Sequence, residues 1–237
     1  MPFIVVIYNI KSGIIPLIPE EKMKNEKCIV VLSGGMDSAT VLAKWIAKLG
    51  KENCVALFVK YGQHTSEKEY ECATSLCEYY GIDLITVSTA LASTGLVDFA
   101  DKNYEVRARN PILALQAYNV GYNYFKKNLN EEFYLHIALG IQGSDHTDYI
   151  DCRASVVELL DTLIQSLSNE YVNVNVPYLY SSKADIIKEG MELNVPYNLT
   201  WSCYVQSDKP CGVCPSCKLR AEAFEKAGYK DPILEEE

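Results

Sequence analysis

The sequence predicts an α/β protein built on a parallel sheet, with a cysteine-rich segment near its C-terminal end. Three observations carry this. Short apolar runs at 28–32, 54–60, 83–87 and 133–139 alternate with stretches of helical period, a pattern that stacks parallel strands between helices. Between the first run and the first helical stretch lies Ser33-Gly34-Gly35-Met36-Asp37-Ser38. Finally, Cys203, Cys211, Cys214 and Cys217 crowd together while the other five cysteines are scattered.

The 237 residues suit one large domain or a domain with a small appendage. Apolar content of 49% and charged content of 22% are those of a folded globular chain. A net charge of −9 speaks against a general nucleic-acid binder. Residues 1–10 are apolar but carry no basic leader and fall short of a membrane span, so no membrane partner and a cytoplasmic location are expected. Residues 1–27 read as an N-terminal extension, a strand that pairs as a hairpin with 13–18, before a core domain at 28–195 and a C-terminal segment at 196–237.

In order, Cys28 to Leu32 is the first core strand, and Leu42, Trp45, Ile46 and Leu49 mark the helix after the glycine turn. Strand, glycine turn and helix start together make an anion site: the glycines let backbone N–H groups approach a phosphate, and the helix N-terminus adds partial positive charge. Ser33 and Ser38 can donate to phosphate oxygens, and Asp37 is suited to hold Mg²⁺ against them. No lysine follows the glycines, so this is not the kinase or GTPase loop. The same six letters also fit an ordinary turn into a helix.

Cys54 to Lys60 is the second strand, ending at Tyr61-Gly62-Gln63. A helix with Ala73, Leu76, Cys77 and Tyr80 on one face stops at Gly81, and Asp83 to Val87 forms the third strand. Residues 88–104 lack periodicity and read as a long loop, a candidate lid. Asn110-Pro111 reads as a cap and first turn for a helix continued by Leu113, Ala117, Val120 and Tyr124. Arg107 and Arg109 just before it are placed either to meet an anion or to lie solvated.

Phe133 to Leu139 is the fourth strand, running through Gly140 into a loop crowded with Ser144, Asp145, His146, Asp148, Asp151 and Arg153. Such crowding at a strand end reads as a ligand pocket. The helix beyond it is expected to face Val156, Leu159, Leu160 and Leu163 inward. Tyr171 to Val176 is a further strand, and Ser182-Lys183-Ala184-Asp185 has the form of a capped helix start. Lys183 is there either a polyphosphate partner or an exposed lysine.

The cysteine spacing C-x7-C-x2-C-x2-C, with Gly212 and Pro215 shaping the turns, suits a tetrahedral zinc ion. Four protein ligands leave no position for water, which makes the metal structural; an iron–sulfur cluster is the competing reading.

Taken together, these segments resemble the 7-cyano-7-deazaguanine synthase family of ATP pyrophosphatases. The resemblance runs from about Cys28 to Pro232. It rests on Ser33 to Ser38, Tyr61-Gly62-Gln63, Arg109-Asn110, Gly140 through Asp145 to Asp151-Cys152-Arg153, and Ser182-Lys183. It continues in Thr200-Trp201-Ser202-Cys203-Tyr204, the three later cysteines and Arg220 to Phe224. The resemblance implies a Rossmann-like, adenine-nucleotide α-hydrolase-like domain and an ATP-dependent ligase. It implies that 7-carboxy-7-deazaguanine and ammonia become the nitrile through an acyl-adenylate, with release of AMP and pyrophosphate. Implied for ATP and Mg²⁺ are Ser33, Gly34, Gly35, Met36, Asp37, Ser38, Tyr61 and Gln63, with Asp37, Ser38 and Lys183 as catalytic candidates. Arg109, Asp145, Asp151 and Arg153 are implied on the substrate side, and homodimer pairing is a further expectation. The chain departs from the family pattern at His64, where arginine is common, and at Arg107 and Ile150, where proline is usual. Those departures keep open a paralogue that passes the adenylated acid to another amine, such as a protein N-terminus. A tRNA-thiolating enzyme on a similar loop is disfavoured by the acidic balance.

Overall fold

A computed structural model describes residues 25–89, 106–129, 131–143, 149–168, 171–205 and 208–234. The N-terminal hairpin, the lid expected over 88–104 (all but its first two residues) and Asp145 lie outside the described residues.

Five strands form one sheet: β1 (Glu26–Val31), β2 (Cys54–Lys60), β3 (Leu84–Ser88), β4 (Tyr134–Ala138) and β5 (Tyr171–Asn175). Their order is β3-β2-β1-β4-β5, and every pairing is parallel. Parallel neighbours need crossover helices, and the helices divide between the two faces. On one face lie α1 (Met36–Leu49), α2 (Ser66–Tyr80), α5 (Lys183–Glu192) and α6 (Pro215–Ala227), packed over Cys28, Val30, Ala56 and Phe58. On the other lie α3 (Arg109–Asn128) and α4 (Ala154–Leu167), packed over Ile29, Val55, Leu57 and Ile137. Burial of β1 and β2 on both faces explains their unbroken apolar runs. The strand order switches between β1 and β4: β2 and β3 are added on one side of β1, and β4 and β5 on the other, which opens a crevice at the carboxyl ends of β1 and β4.

Strand positions follow the sequence reading, but two helices differ from it. Helix α3 begins at Arg109, one residue before the expected cap, because Asn110 is inside the helix and Asp151 caps it from another element: its Oδ2 accepts from the Asn110 N–H at 2.9 Å. In α4 the buried positions are Val157, Leu160 and Ile164, whereas Leu159 and Leu163 are 70% and 46% exposed. The short 3-10 turn Ile150–Cys152 buries Cys152 and sets the phase of the helix behind it. Asp161 then pins one flank, accepting from the Val174 N–H at 2.7 Å. Both faces of α4 carry leucine, so periodicity alone did not resolve its rotation.

The capped start of α5 is as read: Ser182 Oγ accepts from the Asp185 N–H, and Asp185 accepts from Ser182 in return. Arg220, 3% exposed, ties the parts of the C-terminal segment to one another. Its guanidinium donates to both carboxylate oxygens of Asp231 (2.7 and 2.9 Å), to Thr200 Oγ1 (2.8 Å) and to the Tyr197 carbonyl (2.9 Å). A buried arginine is tolerated only when its charge and its donors are this fully matched. No described helix is long and apolar enough to cross a membrane.

Candidate active site

The turn after β1 has the geometry of an anion cradle. Ser38 Oγ donates to the Gly35 carbonyl at 3.0 Å and accepts from the Ser33 N–H at 3.2 Å, while the two serine hydroxyls stand 3.1 Å apart. Gly34 has φ +77°, and a Cβ there would stand 2.4 Å from the Glu69 carbonyl oxygen. Gly140, after β4, lies against the start of α1: its Cβ would stand 2.9 Å from Ser38 N. No side chain caps α1 at Gly35, so its first N–H groups face the crevice free of a competing cap.

Lys183, at the start of α5, donates to Asp37 Oδ2 at 2.8 Å. The other oxygen, Asp37 Oδ1, is buried and has no protein partner. An orphaned carboxylate oxygen beside a phosphate cradle fits Mg²⁺, a hard cation that binds through one or two carboxylates plus substrate phosphates. Asp37 would hold it, with Lys183 adding a second positive charge from the far side of the loop.

A cavity of about 230 Å³ adjoins the turn. Ser33, Ser38 and Gly140 line it together with Phe58, Val59, Arg109, Asn110 and Cys152. Tyr61 lines the cavity beside Arg109; burial works against the Arg109 charge, but the neighbouring Tyr61 and Asp151 outweigh it and hold the guanidinium above the usual arginine value. Burial pushes the Tyr61 phenol up, and Arg109 opposes that shift.

Of the expected substrate-side residues that are described, two lie close together and one does not line the cavity. Arg109 lines the cavity. Asp151 braces the start of α3, and Arg153 is exposed just before α4 and is not among the lining residues. Gln63 lines the cavity too, but its amide is used internally: Oε1 accepts from the Tyr61 N–H at 2.9 Å, and Nε2 donates to the Val59 carbonyl and to Glu69. Among the departures, His64, Arg107 and Ile150 are all exposed.

Sequence reading missed Glu69, Asn110 as a cavity residue and Cys152, whose Sγ accepts from Asn110 Nδ2 at 3.2 Å. Nothing in local period marks Glu69, one of four glutamates on α2.

The four cysteines meet as expected. Their sulfurs all lie within 4.8 Å of one another, and Cys211 and Cys217 are 4.0 Å apart. Zn–S bonds of about 2.3 Å set tetrahedron edges of roughly 3.8 Å, so the set fits zinc with little movement. Backbone N–H groups of Val205 and Cys211 donate to Cys203 Sγ, that of Cys214 to Cys211 Sγ, and that of Cys217 to Cys214 Sγ. N–H donors from Val213 and Cys214 draw the Cys211 thiol down to about 6, whereas burial raises Cys203 and pushes Cys217 up to about 12. This segment also touches the loop: the Trp201 N–H donates to the Gly34 carbonyl at 2.8 Å, and the Trp201 indole donates to the Cys203 carbonyl at 2.8 Å. The other cysteines are core thiols apart from half-buried Cys72; burial raises Cys54 and Cys77 to about 12.

A doubly wound parallel sheet carrying a Ser-Gly-Gly-x-Asp-Ser cradle at its switch point, with an aspartate–lysine pair over it, defines a nucleotide-binding domain of the ATP pyrophosphatase class. The family described as QueC, queuosine biosynthesis protein QueC, matches residues 27–228, and the chain belongs to that family. Among curated relatives, the 7-cyano-7-deazaguanine synthase of Clostridium kluyveri is 33% identical over 222 residues, covering 88% of this chain and 97% of that protein. The enzyme of the same name from Hahella chejuensis is 36% identical over 226 residues, covering 89% and 93%. Among solved structures, the U34-tRNA thiolase NcsA of Methanococcus maripaludis aligns with a TM-score of 0.45 at 19% identity, over 87% of this chain and 66% of that one.

Proposed function

We propose that this chain is an ATP-dependent carbon–nitrogen ligase that converts 7-carboxy-7-deazaguanine and ammonia to 7-cyano-7-deazaguanine. Membership of the family and the names of the relatives support the substrate class. The observation that carries the chemistry is the Asp37–Lys183 pair over the serine–glycine cradle, with Asp37 Oδ1 left for a cation.

In this reading the ATP phosphates lie against Ser33 to Ser38, and Arg109 receives the carboxylate of the acid. That carboxylate attacks the α-phosphorus as the bond to the β-phosphate oxygen breaks. Pyrophosphate leaves toward the N-terminus of α1 and Lys183, which meet the charge it gains. Mg²⁺, when bound, neutralises phosphate charge and aligns the leaving group. Ammonia displaces AMP from the acyl-adenylate to give the amide. The amide oxygen attacks the α-phosphorus of a second ATP with release of a second pyrophosphate, and loss of AMP with the two N–H protons leaves the nitrile. The work is positioning and charge neutralisation in a narrow cavity. Zinc on the four cysteines has a structural role, since no ligand position is left open. Pairing into a homodimer and a cytosolic setting belong to the same reading, the latter supported by a four-cysteine metal set and five further cysteines that form no disulfide.

The test is exchange of labelled pyrophosphate into ATP that depends on the deazaguanine acid, followed by mass spectrometry of products with ammonium. Nitrile or amide supports the proposal; product formed only on an added protein amine moves the chain to the paralogue reading. Asp37→Asn is expected to lose the exchange while retaining zinc, and full exchange in that variant overturns the role given to Asp37.

A further inference from the structure

Glu69 is a half-buried carboxylate at the cavity that takes no part in the chemistry above. It sits in the first turn of α2 and folds back toward the end of β2. Its Oε1 accepts from the Thr65 hydroxyl at 2.5 Å, and its Oε2 accepts from Gln63 Nε2 at 3.1 Å. The same Gln63 nitrogen donates to the Val59 carbonyl at 3.2 Å, and Gln63 Oε1 accepts from the Tyr61 N–H at 2.9 Å. Only one orientation of the Gln63 amide satisfies all three contacts, since a flipped amide would turn its oxygen on Glu69 and on Val59. Tyr61, held through its backbone in this way, lines the cavity together with Arg109, and the two side chains bear on each other's charge.

We propose that Glu69 is a positioning residue for Arg109. It locks the Gln63 amide, the amide fixes the backbone of Tyr61, and Tyr61 sets the guanidinium that meets the acid. The inference rests on the reading of this cavity as the substrate site. Two further features agree with it. Burial holds the Glu69 carboxyl above its ordinary range while hydrogen bonds from Thr65 and Gln63 pull the other way, so those bonds are matched against a desolvated group. And Gln63, with both ends of its amide engaged inside the protein, has little left to offer a ligand.

The experiment compares Glu69→Ala, Glu69→Gln and Gln63→Leu by steady-state kinetics, ATP affinity and urea unfolding. Alanine removes the acceptor for Gln63; glutamine keeps an acceptor of the same shape and removes only the charge. In Glu69→Ala, KM for the deazaguanine acid is expected to rise about tenfold or more with kcat little changed and ATP affinity kept. Glu69→Gln is expected to recover most of that affinity. Gln63→Leu should reproduce the alanine effect, and the Glu69→Ala/Gln63→Leu double variant should be non-additive both in KM and in unfolding. Glu69→Gln as impaired as Glu69→Ala, or a fall in kcat at constant KM, indicates a carboxylate that handles a proton and overturns the positioning role. So does a parallel loss of ATP affinity. If the wild-type protein does not turn over the acid at all, the proposed function fails. The unfolding cycle then still tests the link between Glu69 and Gln63, and strict additivity there overturns it.

Discussion

Replacing Gly34 by alanine tests whether the turn after β1 is held as tightly as its contacts imply. Two costs add at this position. A φ of +77° is left-handed backbone, which costs an L-residue about 1–2 kcal/mol. The new Cβ would also stand 2.4 Å from the Glu69 carbonyl oxygen and 3.1 Å from Cys72 Cβ. Neither neighbour is a flexible tip, so loop or helix must move, at a further ~1–3 kcal/mol. Gly228 separates the two terms: its φ is +83°, but nothing lies within 4 Å of a Cβ built there. Gly228→Ala should therefore cost only the backbone term, about 1–2 kcal/mol, and Gly34→Ala about 2–5 kcal/mol. Urea unfolding of both variants gives the difference, with ATP affinity measured in parallel. Because a displacement of about 1 Å can cost 10²-fold where groups are preorganised, Gly34→Ala should bind ATP at least about tenfold more weakly. Gly228→Ala should bind it like the wild type. If Gly34→Ala unfolds within about 0.5 kcal/mol of Gly228→Ala and keeps its ATP affinity, the tight packing of α2 against the turn is refuted.

Removing the metal should reach the same turn from the other side. Chelation, or Cys214→Ser, is expected to release zinc and weaken ATP binding, because Trp201 bridges Cys203 and Gly34; metal content and nucleotide affinity that vary independently would contradict this. His136 supplies a pH dependence: burial lowers its pKa below 6.5 despite contacts to Glu26 (2.7 Å) and Asn173 (2.8 Å). The unfolded chain then takes up the proton first, so stability is complete above 6.5 and falls as pH drops below it, by up to about 1.4 kcal/mol per pH unit. Urea unfolding between about pH 5 and 7.5 should show that slope in the wild type and lose it in His136→Gln. Ala108 holds φ +54° just before α3. Ala108→Gly should relieve about 1 kcal/mol of backbone strain, and a fall in melting temperature would count against it.

The chain itself determined the order of strands and helices, the cradle and the metal set. β2 is apolar from Cys54 to Val59 because both its faces are covered there, so it stands out in one dimension. The cradle and the four cysteines are short-range features, Ser33 to Ser38 and Cys203 to Cys217, so adjacency in sequence is adjacency in space. What needed the fold was every relation between distant segments. Lys183 meets Asp37 across 146 positions, Asp151 caps α3 from 41 positions away, and Trp201 is tied to the loop it supports. Rotation of α4 was likewise decided by Cys152 and Asp161, which anchor it to other elements, and not by its own leucines. Glu69 differs from the other α2 glutamates only in what the end of β2 places beside it. Hydrogen bonds and burial depend on three-dimensional neighbours, and residue type specifies only which neighbours a side chain can accept.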